Sequence, residues 1–307
     1  RAQRAWGTSG DKWNWIATDS NGNFYVIWNY QSSSAAFWST SLANNEFYDG
    51  FEWQRRDDVF IAKLSNTWAR QWAVKWWWTG RDYWNWIAAD ADGNIYTVWF
   101  FQYSPRATFW STILTINWWA NSYVAKLSSN WTRQRINRST GAYEQFARKI
   151  SIDNSGNSYV MWEFRWRNFN PATFWSTNLY TTWNDNDIFV AKLSNTWERE
   201  WANSSIWMTG SENAAWIITD PDGNSYVVWS HNYPMVFWST TLSVSGSNDW
   251  FYAKLSSTWQ WLRAQNIWWT GNDMARWITK DTDWNIYAFW EFQWTWYFWW
   301  NKLISSW

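Results

Sequence analysis

Short apolar runs alternate with polar turn residues along the whole chain. In one example, Trp216 to Thr219 leads into a turn at Asp220, and Ser225 to Val228 leaves it. β-Branched and aromatic residues around a Gly-Asn turn are typical of a β-hairpin. The stretch Asp187 to Leu193 is apolar on both faces up to its lysine, so we expect it to be covered on both sides. After a short turn, Glu198 to Ala202 predicts a further strand.

Three sequence markers recur in a fixed order. The motif Asp-x-x-Gly-Asn recurs at spacings of 71, 63, 67 and 61 residues, starting at Asp19, Asp90, Asp153, Asp220 and, with tryptophan in place of glycine, Asp281. The motif Ala-Lys-Leu starts at Ala62, Ala125, Ala191 and Ala253. The motif Phe-Trp-Ser-Thr starts at Phe37, Phe109, Phe174 and Phe237. The chain therefore contains four full repeats and part of a fifth, and repeats of this kind decide the fold.

The strands within one period predict the fold class. Four short antiparallel strands per period, stacked sheet against sheet, are typical of a β-propeller blade. The rungs of a β-solenoid are usually shorter than these periods. We therefore predict an all-β chain, a β-propeller of four-stranded antiparallel blades, forming a single repeat domain over residues 1–307. The chain begins with Arg1 and shows no signal peptide, so we interpret it as a fragment.

Charge and cysteine content exclude several classes of binding partner and of metal site. The chain has 25 basic and 25 acidic residues, so it lacks the electrostatic footprint of a nucleic-acid-binding protein. It has no cysteine, which excludes disulfides and thiolate metal sites. No apolar run approaches the roughly 18 residues that a membrane helix needs. We therefore expect no nucleic-acid partner and no membrane insertion.

Tryptophan occupies 41 of the 307 positions, and it stands where other repeats have glycine. Four copies of the Asp turn contain glycine, whereas the fifth has Trp284. An ungapped alignment of Leu114–Ala125 with Leu242–Ala253 sets Trp118 against Gly246. A short turn commonly needs one residue at positive φ, which glycine adopts freely and a bulky residue adopts only under strain. Trp284 is therefore the wrong residue type for its own repeat.

Our hypothesis is that the gene uses UGA for glycine and was translated as if UGA encoded tryptophan. The alternative is a protein that is truly rich in tryptophan. Some tryptophans fit their positions, because Trp72, Trp201 and Trp261 lie in strand-like stretches where an aromatic side chain suits a half-buried sheet surface.

The three markers resemble the bacterial SBBP-type β-propeller repeat. The similarity lies in Asp-x-x-Gly-Asn-x-Tyr-Val, Phe-Gly-Ser-Thr-x-Leu, Asp-Ile-Phe-Val-Ala-Lys-Leu and Ser-x-Thr-Gly, and it covers nearly the whole chain. At glycines of this pattern the chain has Trp38, Trp110, Trp175, Trp238, Trp68, Trp197 and Trp259. The resemblance implies an extracellular or surface-exposed propeller, often within a larger multidomain chain. It brings no catalytic motif.

The Asp turns also suggest calcium. Asp90, Asp92 and Asn94 carry oxygen ligands of the kind that Ca²⁺ prefers. However, glycine is fourth in this turn and a strand follows at once, unlike an EF-hand loop, and Asp and Asn also favour turns by binding nearby backbone. We predict structural turns, with weak calcium binding as the alternative, and no cofactor.

Candidate catalytic residues are few. His231 is the only histidine, so a histidine-based zinc site is excluded, and we expect it in a solvated loop, Ser230 to Pro234. Neighbouring acids could suggest glycosidase chemistry, which needs two carboxylates across a cleft. The acidic pairs are Asp57 with Asp58, Asp185 with Asp187, and Glu198 with Glu200. Repeated acids more often solvate blade edges, so we assign no catalytic, cofactor-binding or metal-binding residue.

These patterns favour a non-enzymatic, secreted or surface β-propeller for adhesion, recognition or scaffolding, with a protein or glycan ligand. One tyrosine per period, at Tyr25, Tyr96, Tyr159, Tyr226 and Tyr287, is expected to pack between blades. The alternative is a carbohydrate-binding or carbohydrate-active propeller with its site in the axial channel or in variable loops. The segment Ala43 to Arg56, unique to the first period, is the best place for specificity.

Overall fold

The structure is a computed structural model, and its chain divides into two compact units, Arg1–Thr140 and Gly141–Trp307. The predicted single repeat domain over 1–307 stays a prediction. The residues that the structure describes are 5–6, 12–31, 34–37, 40–43, 46–48, 53–55, 58–75, 81–102, 106–109, 112–115, 120–141, 144–165, 171–174, 177–180, 185–204, 210–237, 240–245, 247–267, 274–291 and 302–303.

The strands of unit 1 are short. Their bounds are β1 Ala5–Trp6, β2 Lys12–Thr18, β3 Phe24–Tyr30, β4 Ser34–Phe37, β5 Thr40–Ala43, β6 Glu46–Tyr48, β7 Trp53–Arg55, β8 Asp58–Leu64, β9 Arg70–Lys75, β10 Arg81–Ala89, β11 Ile95–Gln102, β12 Arg106–Phe109, β13 Thr112–Thr115, β14 Ala120–Leu127 and β15 Arg133–Arg138. Strand β16 follows at Thr140–Gly141.

Unit 2 repeats the same order of strands. Its strands are β17 Glu144–Ile152, β18 Ser158–Arg165, β19 Ala172–Phe174, β20 Thr177–Leu179, β21 Asn186–Leu193, β22 Arg199–Ser204, β23 Glu212–Thr219, β24 Ser225–His231, β25 Met235–Phe237, β26 Thr240–Leu242, β27 Asp249–Leu255, β28 Trp261–Ile267, β29 Met274–Lys280, β30 Ile286–Glu291 and β31 Lys302–Leu303.

Each full period forms four strands that pair side by side, each antiparallel to its neighbour. The pairing orders are β2-β3-β8-β9, β10-β11-β14-β15, β17-β18-β21-β22 and β23-β24-β27-β28, and β29, β30 and β31 pair in the last period. The predicted hairpin around Asp220 and the third strand from Asp187 are both confirmed. Residues 187–193 are buried throughout, as a strand apolar on both faces requires. The described residues contain strands and turns but no helix.

The sheets pack through their first strands. In unit 1, β10 contacts β2 and β3; in unit 2, β23 contacts β17 and β18, and β29 contacts β23 and β24. The core of unit 1 lies between these sheets and includes Ile27, Ile61 and Ile87. The core of unit 2 includes Val190, Val227 and Phe251. Burying β-branched and aromatic side chains on both faces is the main favourable contribution to such stacking.

Each full period also contains a small hairpin that the sequence pattern did not predict. These hairpins, β4-β5, β12-β13, β19-β20 and β25-β26, lie between the second and third strands of each period's four. In all four, the Phe and Thr of Phe-Trp-Ser-Thr pair directly, as Phe37 pairs with Thr40. The motif is therefore a two-residue hairpin connection. Loops of this length favour glycine at a central position, because that residue takes positive φ.

Membrane insertion through a helix finds no support in the described part of the chain. A search of those residues finds no helix that is long and apolar enough to cross a bilayer.

Candidate functional site

The Asp turn is held together by its own side chains. Asp19 Oδ1 accepts hydrogen bonds from the backbone N–H groups of Asn21 and Asn23 at 3.0 and 2.9 Å. Its Oδ2 accepts from Asn23 Nδ2 at 2.8 Å and from the Tyr25 hydroxyl at 3.0 Å. Burial raises the pKa of Asp19, but the bonds from Asn23, Tyr25 and Asn21 outweigh it, so the pKa lies below its usual value. The carboxylate is therefore ionised and serves as the centre of the turn.

The tyrosine connects the Asp turn to the Ala-Lys-Leu strand. Tyr25 lies directly opposite Lys63, and Lys63 Nζ is 5.0 Å from the centre of the tyrosine ring, which is a cation–π distance. The other full periods repeat this contact, with Tyr96 and Lys126 at 5.1 Å, Tyr159 and Lys192 at 5.5 Å, and Tyr226 and Lys254 at 4.9 Å. Two of the three sequence markers thus form one three-dimensional unit.

The tyrosine also reaches the turn of the following period. The Tyr25 hydroxyl lies 3.1 Å from Gly93 O, and a Cβ atom at Gly93 would come within 2.9 Å of that hydroxyl. In unit 2, a Cβ at Gly223 would come within 2.5 Å of the Tyr159 hydroxyl. Real Cβ atoms do not approach so closely, so these turns need glycine both for positive φ and for space. The predicted packing of tyrosines between periods is confirmed for Tyr25 and Tyr159.

The same geometry bears on the calcium alternative. Asp90 Oδ1 accepts from Asn94 N at 2.8 Å, and Oδ2 accepts from Asn94 Nδ2 and the Tyr96 hydroxyl, both at 2.9 Å. The Asn94 side-chain oxygen accepts from Gln134 Nε2 at 3.2 Å. Two of the three expected calcium ligands are thus used by protein donors, which favours a structural turn. Among the described residues, no group of three His, Asp or Glu side chains is placed to hold a metal ion.

Positive φ angles fall where the repeat pattern expects glycine. The four glycines of the Asp turns have φ of 74° at Gly22, 77° at Gly93, 78° at Gly156 and 80° at Gly223. The described non-glycine residues with positive φ are all tryptophan, namely Trp68 (64°), Trp131 (68°), Trp197 (70°), Trp259 (76°) and Trp284 (62°). Trp131 was not among the expected positions, because its turn lacks the threonine of Ser-x-Thr.

The tryptophans predicted to fit their positions have good contacts. Trp72 and Trp201 are half-buried, and their indole N–H groups donate at 3.3 Å to Ser129 O and Ser257 O in the following period of each unit. Trp261 is buried rather than half-buried, and its ring lies edge-on to Trp229 at 5.7 Å. At Trp72 and Trp201 the aromatic ring and the N–H group both have a defined role.

His231 is not in a solvated loop, so that prediction is wrong. It is the last residue of β24, it is only 2% exposed, and Asp249 lies directly opposite it on β27. His231 Nδ1 lies 2.8 Å from Tyr233 O. Burial lowers the pKa of His231, and the Tyr233 carbonyl, Asn266 and Asp249 act in the opposite direction. The strand continues further than the loop-like sequence suggested, because His231 takes the position of an aromatic residue.

The acidic pairs do not form a catalytic pair in the described residues. Asp185 Oδ2 accepts from Gly210 N at 3.0 Å, whereas Asp187 is buried in β21. Glu200 forms an ion pair with Lys192 at 2.8 Å, and Glu198 is exposed in the turn before β22. Asp58 begins β8, and its neighbour Asp57 lies outside the described residues.

Two buried glutamates, missed by sequence reasoning, join neighbouring sheets in unit 2. Glu163 pairs with Arg148 at 2.6 Å and accepts from Ala214 N at 2.7 Å. Glu212 accepts from Ile188 N at 3.2 Å. Each carboxylate thus binds a backbone N–H group of the other period's sheet. Nothing in the repeat pattern marked them, since neither belongs to the three markers.

Lys149 differs from its equivalents in the other periods. Counted from the Asp turn, its position holds Trp15, Trp86, Trp216 and Trp277 in the other copies. Its Nζ is 4.6 Å from the centre of the Trp216 ring. Burial, with a smaller effect of Arg148, lowers the pKa of Lys149 to about 7. The ammonium is therefore poorly solvated and rests partly on an aromatic face.

The two period-specific segments have different structures. Within Ala43 to Arg56, strands β6 and β7 pair with each other, and among the described strands with no other. In Ser230 to Pro234, Ser230 and His231 belong to β24, and Tyr233 beyond them is 55% exposed. Both segments therefore differ from the repeat, but only the first is a separate hairpin.

Comparison with known proteins gives weak structural likeness. No protein-family model matches the sequence, and no curated protein matches it significantly. Among solved structures, an acylaminoacyl peptidase in complex with Z-Gly-Gly-Phe-chloromethyl ketone is similar over 91% of this chain, with 9% identity and a TM-score of 0.24. The match spans 57% of that peptidase chain. A likeness at this level carries no argument about function.

Proposed function

We propose that the chain is a non-enzymatic β-propeller module, secreted or exposed on a cell surface, that serves adhesion, recognition or scaffolding. The observation that carries the proposal is the internal use of the repeated polar groups. In the Asp turns, the carboxylate, asparagine and tyrosine of each copy bind one another, as Asp153, Asn157 and Tyr159 do at 2.8 and 3.2 Å. Groups bound in this way maintain the fold and are not available for chemistry on a substrate.

The architecture supports the proposal at the level of the sheets. Four-stranded antiparallel sheets follow one another along the chain, and in each unit their first strands are packed together. That order is typical of propeller blades. The proposal includes membership of the SBBP-type repeat family and glycine at the repeat-violating tryptophan positions.

Ligand specificity is assigned to the segments that differ between periods. Among the described strands, the β6-β7 hairpin of the first period has no counterpart in another period, and Tyr233 follows β24 in a segment specific to the fourth. An exposed tyrosine offers an apolar face and a hydroxyl to a glycan or a peptide. Binding residues on repeated scaffolds concentrate in such loops, because residues repeated in every period must first satisfy the shared fold.

A glycan and peptide binding screen tests the proposal, with the chain carrying glycine at the repeat-violating positions. We expect binding without turnover. Deleting residues 44–55 should weaken binding by about tenfold or more, equivalent to about 1.4 kcal/mol. The thermal transition should change little, because the length of an exposed loop has a small effect on stability.

A matched variant separates binding from catalysis. Glu163→Gln and Glu212→Gln each change a buried carboxylate while residues 44–55 stay intact. Hydrolysis of a glycan that survives the deletion but is lost in these variants would favour the carbohydrate-active alternative. Binding unaffected by the deletion and by Tyr233→Ala would remove the assigned ligand surface.

A further inference from the structure

Three polar atoms at one end of the β23-β24-β27-β28 sheet lack a hydrogen-bond partner among the described residues. They are His231 Nε2, Asp249 Oδ1 and Asn266 Oδ1. His231 is 2% exposed, Asp249 is fully buried and Asn266 is half-buried. A buried polar atom without a partner is unfavourable by about 1–3 kcal/mol, so three together need an explanation.

The three side chains lie on one face of the sheet. His231 and Asp249 are directly opposite each other on β24 and β27, and such neighbours have Cβ atoms about 4.5–5.5 Å apart. Asn266 is directly opposite Phe251, and Phe251 lies two residues from Asp249 on β27. The ring centres of Phe251 and His231 are 5.2 Å apart. Residues two apart in a strand share a face.

The remaining bonds leave all three atoms as acceptors. Asn266 lies near enough to raise the pKa of His231, but no hydrogen bond of good geometry joins the two side chains. Because Tyr233 O can only accept, His231 Nδ1 carries the proton and Nε2 presents a lone pair. Asp249 Oδ2 accepts a hydrogen bond from Ser245 N at 2.5 Å, whereas Oδ1 has no donor. Asn266 Nδ2 donates to Ser243 O at 2.5 Å, which orients Oδ1 as the remaining atom. Three neighbouring acceptors, one of them a carboxylate oxygen, call for a cation.

The other periods show what stands at these register positions. The pair equivalent to His231 and Asp249 is Tyr30 and Asp58 in the first period, Phe101 and Asn121 in the second, and Phe164 and Asp187 in the third. The position of Asn266 is held by Lys75 in the first period and by Arg138 in the second. Those two periods carry a basic residue there, whereas the fourth carries a neutral amide.

Against the expectation drawn from the single histidine, we infer that His231, Asp249 and Asn266 bind a divalent transition-metal cation such as Zn²⁺, with His231 as the one imidazole ligand. A neutral imidazole nitrogen and a carboxylate oxygen are ligands that Zn²⁺ accepts, and the amide oxygen and water complete the shell. Glu212 lies directly opposite His231 on β23 and adds a further carboxyl group on the side of β24 away from Asp249. The ion would link β24, β27 and β28 as a structural site, independent of the proposed ligand surface.

The test uses the untagged chain in a cooperatively folding form, stripped with EDTA and titrated with ZnCl₂. We expect one equivalent to bind by calorimetry and to raise the melting temperature by a few degrees, because a ligand of the folded state stabilises it by mass action. With a single histidine in the chain, the imidazole ¹⁵N signals are unambiguous. Zn²⁺ should shift the signal of Nε2 and leave Nδ1 protonated.

Matched variants take residues from the other periods, so that folding is preserved. His231→Phe copies the third period, Asp249→Asn the second, and Asn266→Lys the first. Each should lose zinc binding and the rise in melting temperature, and Asn266→Lys should melt higher than the stripped parent. Absence of zinc binding in the folded parent, or unchanged binding in His231→Phe, would overturn the inference. Equal binding of CaCl₂ in His231→Phe would show that the imidazole takes no part.

Discussion

The Tyr25 hydroxyl lies 3.0 Å from Asp19 Oδ2 in its own turn and 3.1 Å from Gly93 O in the next turn. One proton is therefore shared between two acceptors that are 74 positions apart in the sequence, counted from Asp19 to Gly93. The contact also explains the glycine, since a Cβ at Gly93 would meet this hydroxyl at 2.9 Å. Tyr25 thus stabilises its own hairpin and couples it to the following one.

Tyr25→Phe should reduce the free energy of unfolding by about 1–3 kcal/mol, because it removes a buried hydrogen bond to a carboxylate. Urea denaturation measures the change. Tyr287→Phe is the control, because among the described residues the Tyr287 hydroxyl binds only Asp281, at 2.9 Å. Its effect should be smaller. An equal or larger loss at Tyr287 would contradict coupling between periods.

Replacing the turn tryptophans with glycine should stabilise the protein. Residues strained at positive φ each cost about 1–3 kcal/mol, whereas a whole domain has only about 5–15 kcal/mol. We therefore expect Trp68→Gly and Trp284→Gly each to raise the melting temperature, and the chain with tryptophan at all of these turns to fold poorly.

Trp72→Gly is the matched control, since it exchanges the same residue types outside a positive-φ turn. It removes a hydrogen bond to Ser129 O and the packing against Tyr25, at 6.3 Å between ring centres. It should therefore destabilise the fold. Stabilisation at Trp72, or destabilisation at both turn positions, would show that φ is not the deciding factor.

Unfolding of the metal-free protein should depend on pH through His231. Burial lowers the folded pKa of His231 below the unfolded value of about 6.5, and it outweighs the Tyr233 carbonyl, Asn266 and Asp249, which act in the opposite direction. The unfolded state then binds more protons as the pH falls. The contribution of His231 to the stability of the folded state is fully present above about pH 6.5 and decreases as the pH falls below that value.

Denaturation of EDTA-treated protein at several pH values below 7 measures this dependence. His231→Phe should remove the contribution of the histidine, so that the free energy of unfolding changes less between about pH 5 and pH 6.5. The remaining change with pH comes from the carboxylates. An identical slope in the variant, or higher stability of the parent at lower pH, would contradict the buried neutral histidine.

Much of the fold was predictable because the repeat displays the same pattern several times. The markers predicted the Asp hairpin and the third strand, and the turn after Leu193 predicted the fourth. The Phe-Trp-Ser-Thr hairpins were missed, because tryptophan hides the turn signal that glycine would give in a two-residue loop. The positive φ of Trp131 was not predicted either, because its Ser128-Ser-Asn turn lacks the usual threonine.

The polar sites were less predictable. His231 stands in a sequence that resembles a loop, and only the pairing with Asp249 shows that it replaces an aromatic residue. Glu163 and Glu212 bind backbone groups of a neighbouring sheet, 51 and 24 residues away. Such contacts depend on how sheets stack, which local propensity and periodicity do not determine.

Glycine belongs at the turn positions that tryptophan now occupies, and the codons of the gene decide whether this is so. We expect UGA at the repeat-violating positions and at the positive-φ turns, namely Trp38, Trp68, Trp110, Trp118, Trp131, Trp175, Trp197, Trp238, Trp259 and Trp284. We expect UGG at Trp72, Trp201 and Trp261, where the indole has a role or packs in a strand. UGG at all of these positions would show that tryptophan is the encoded residue.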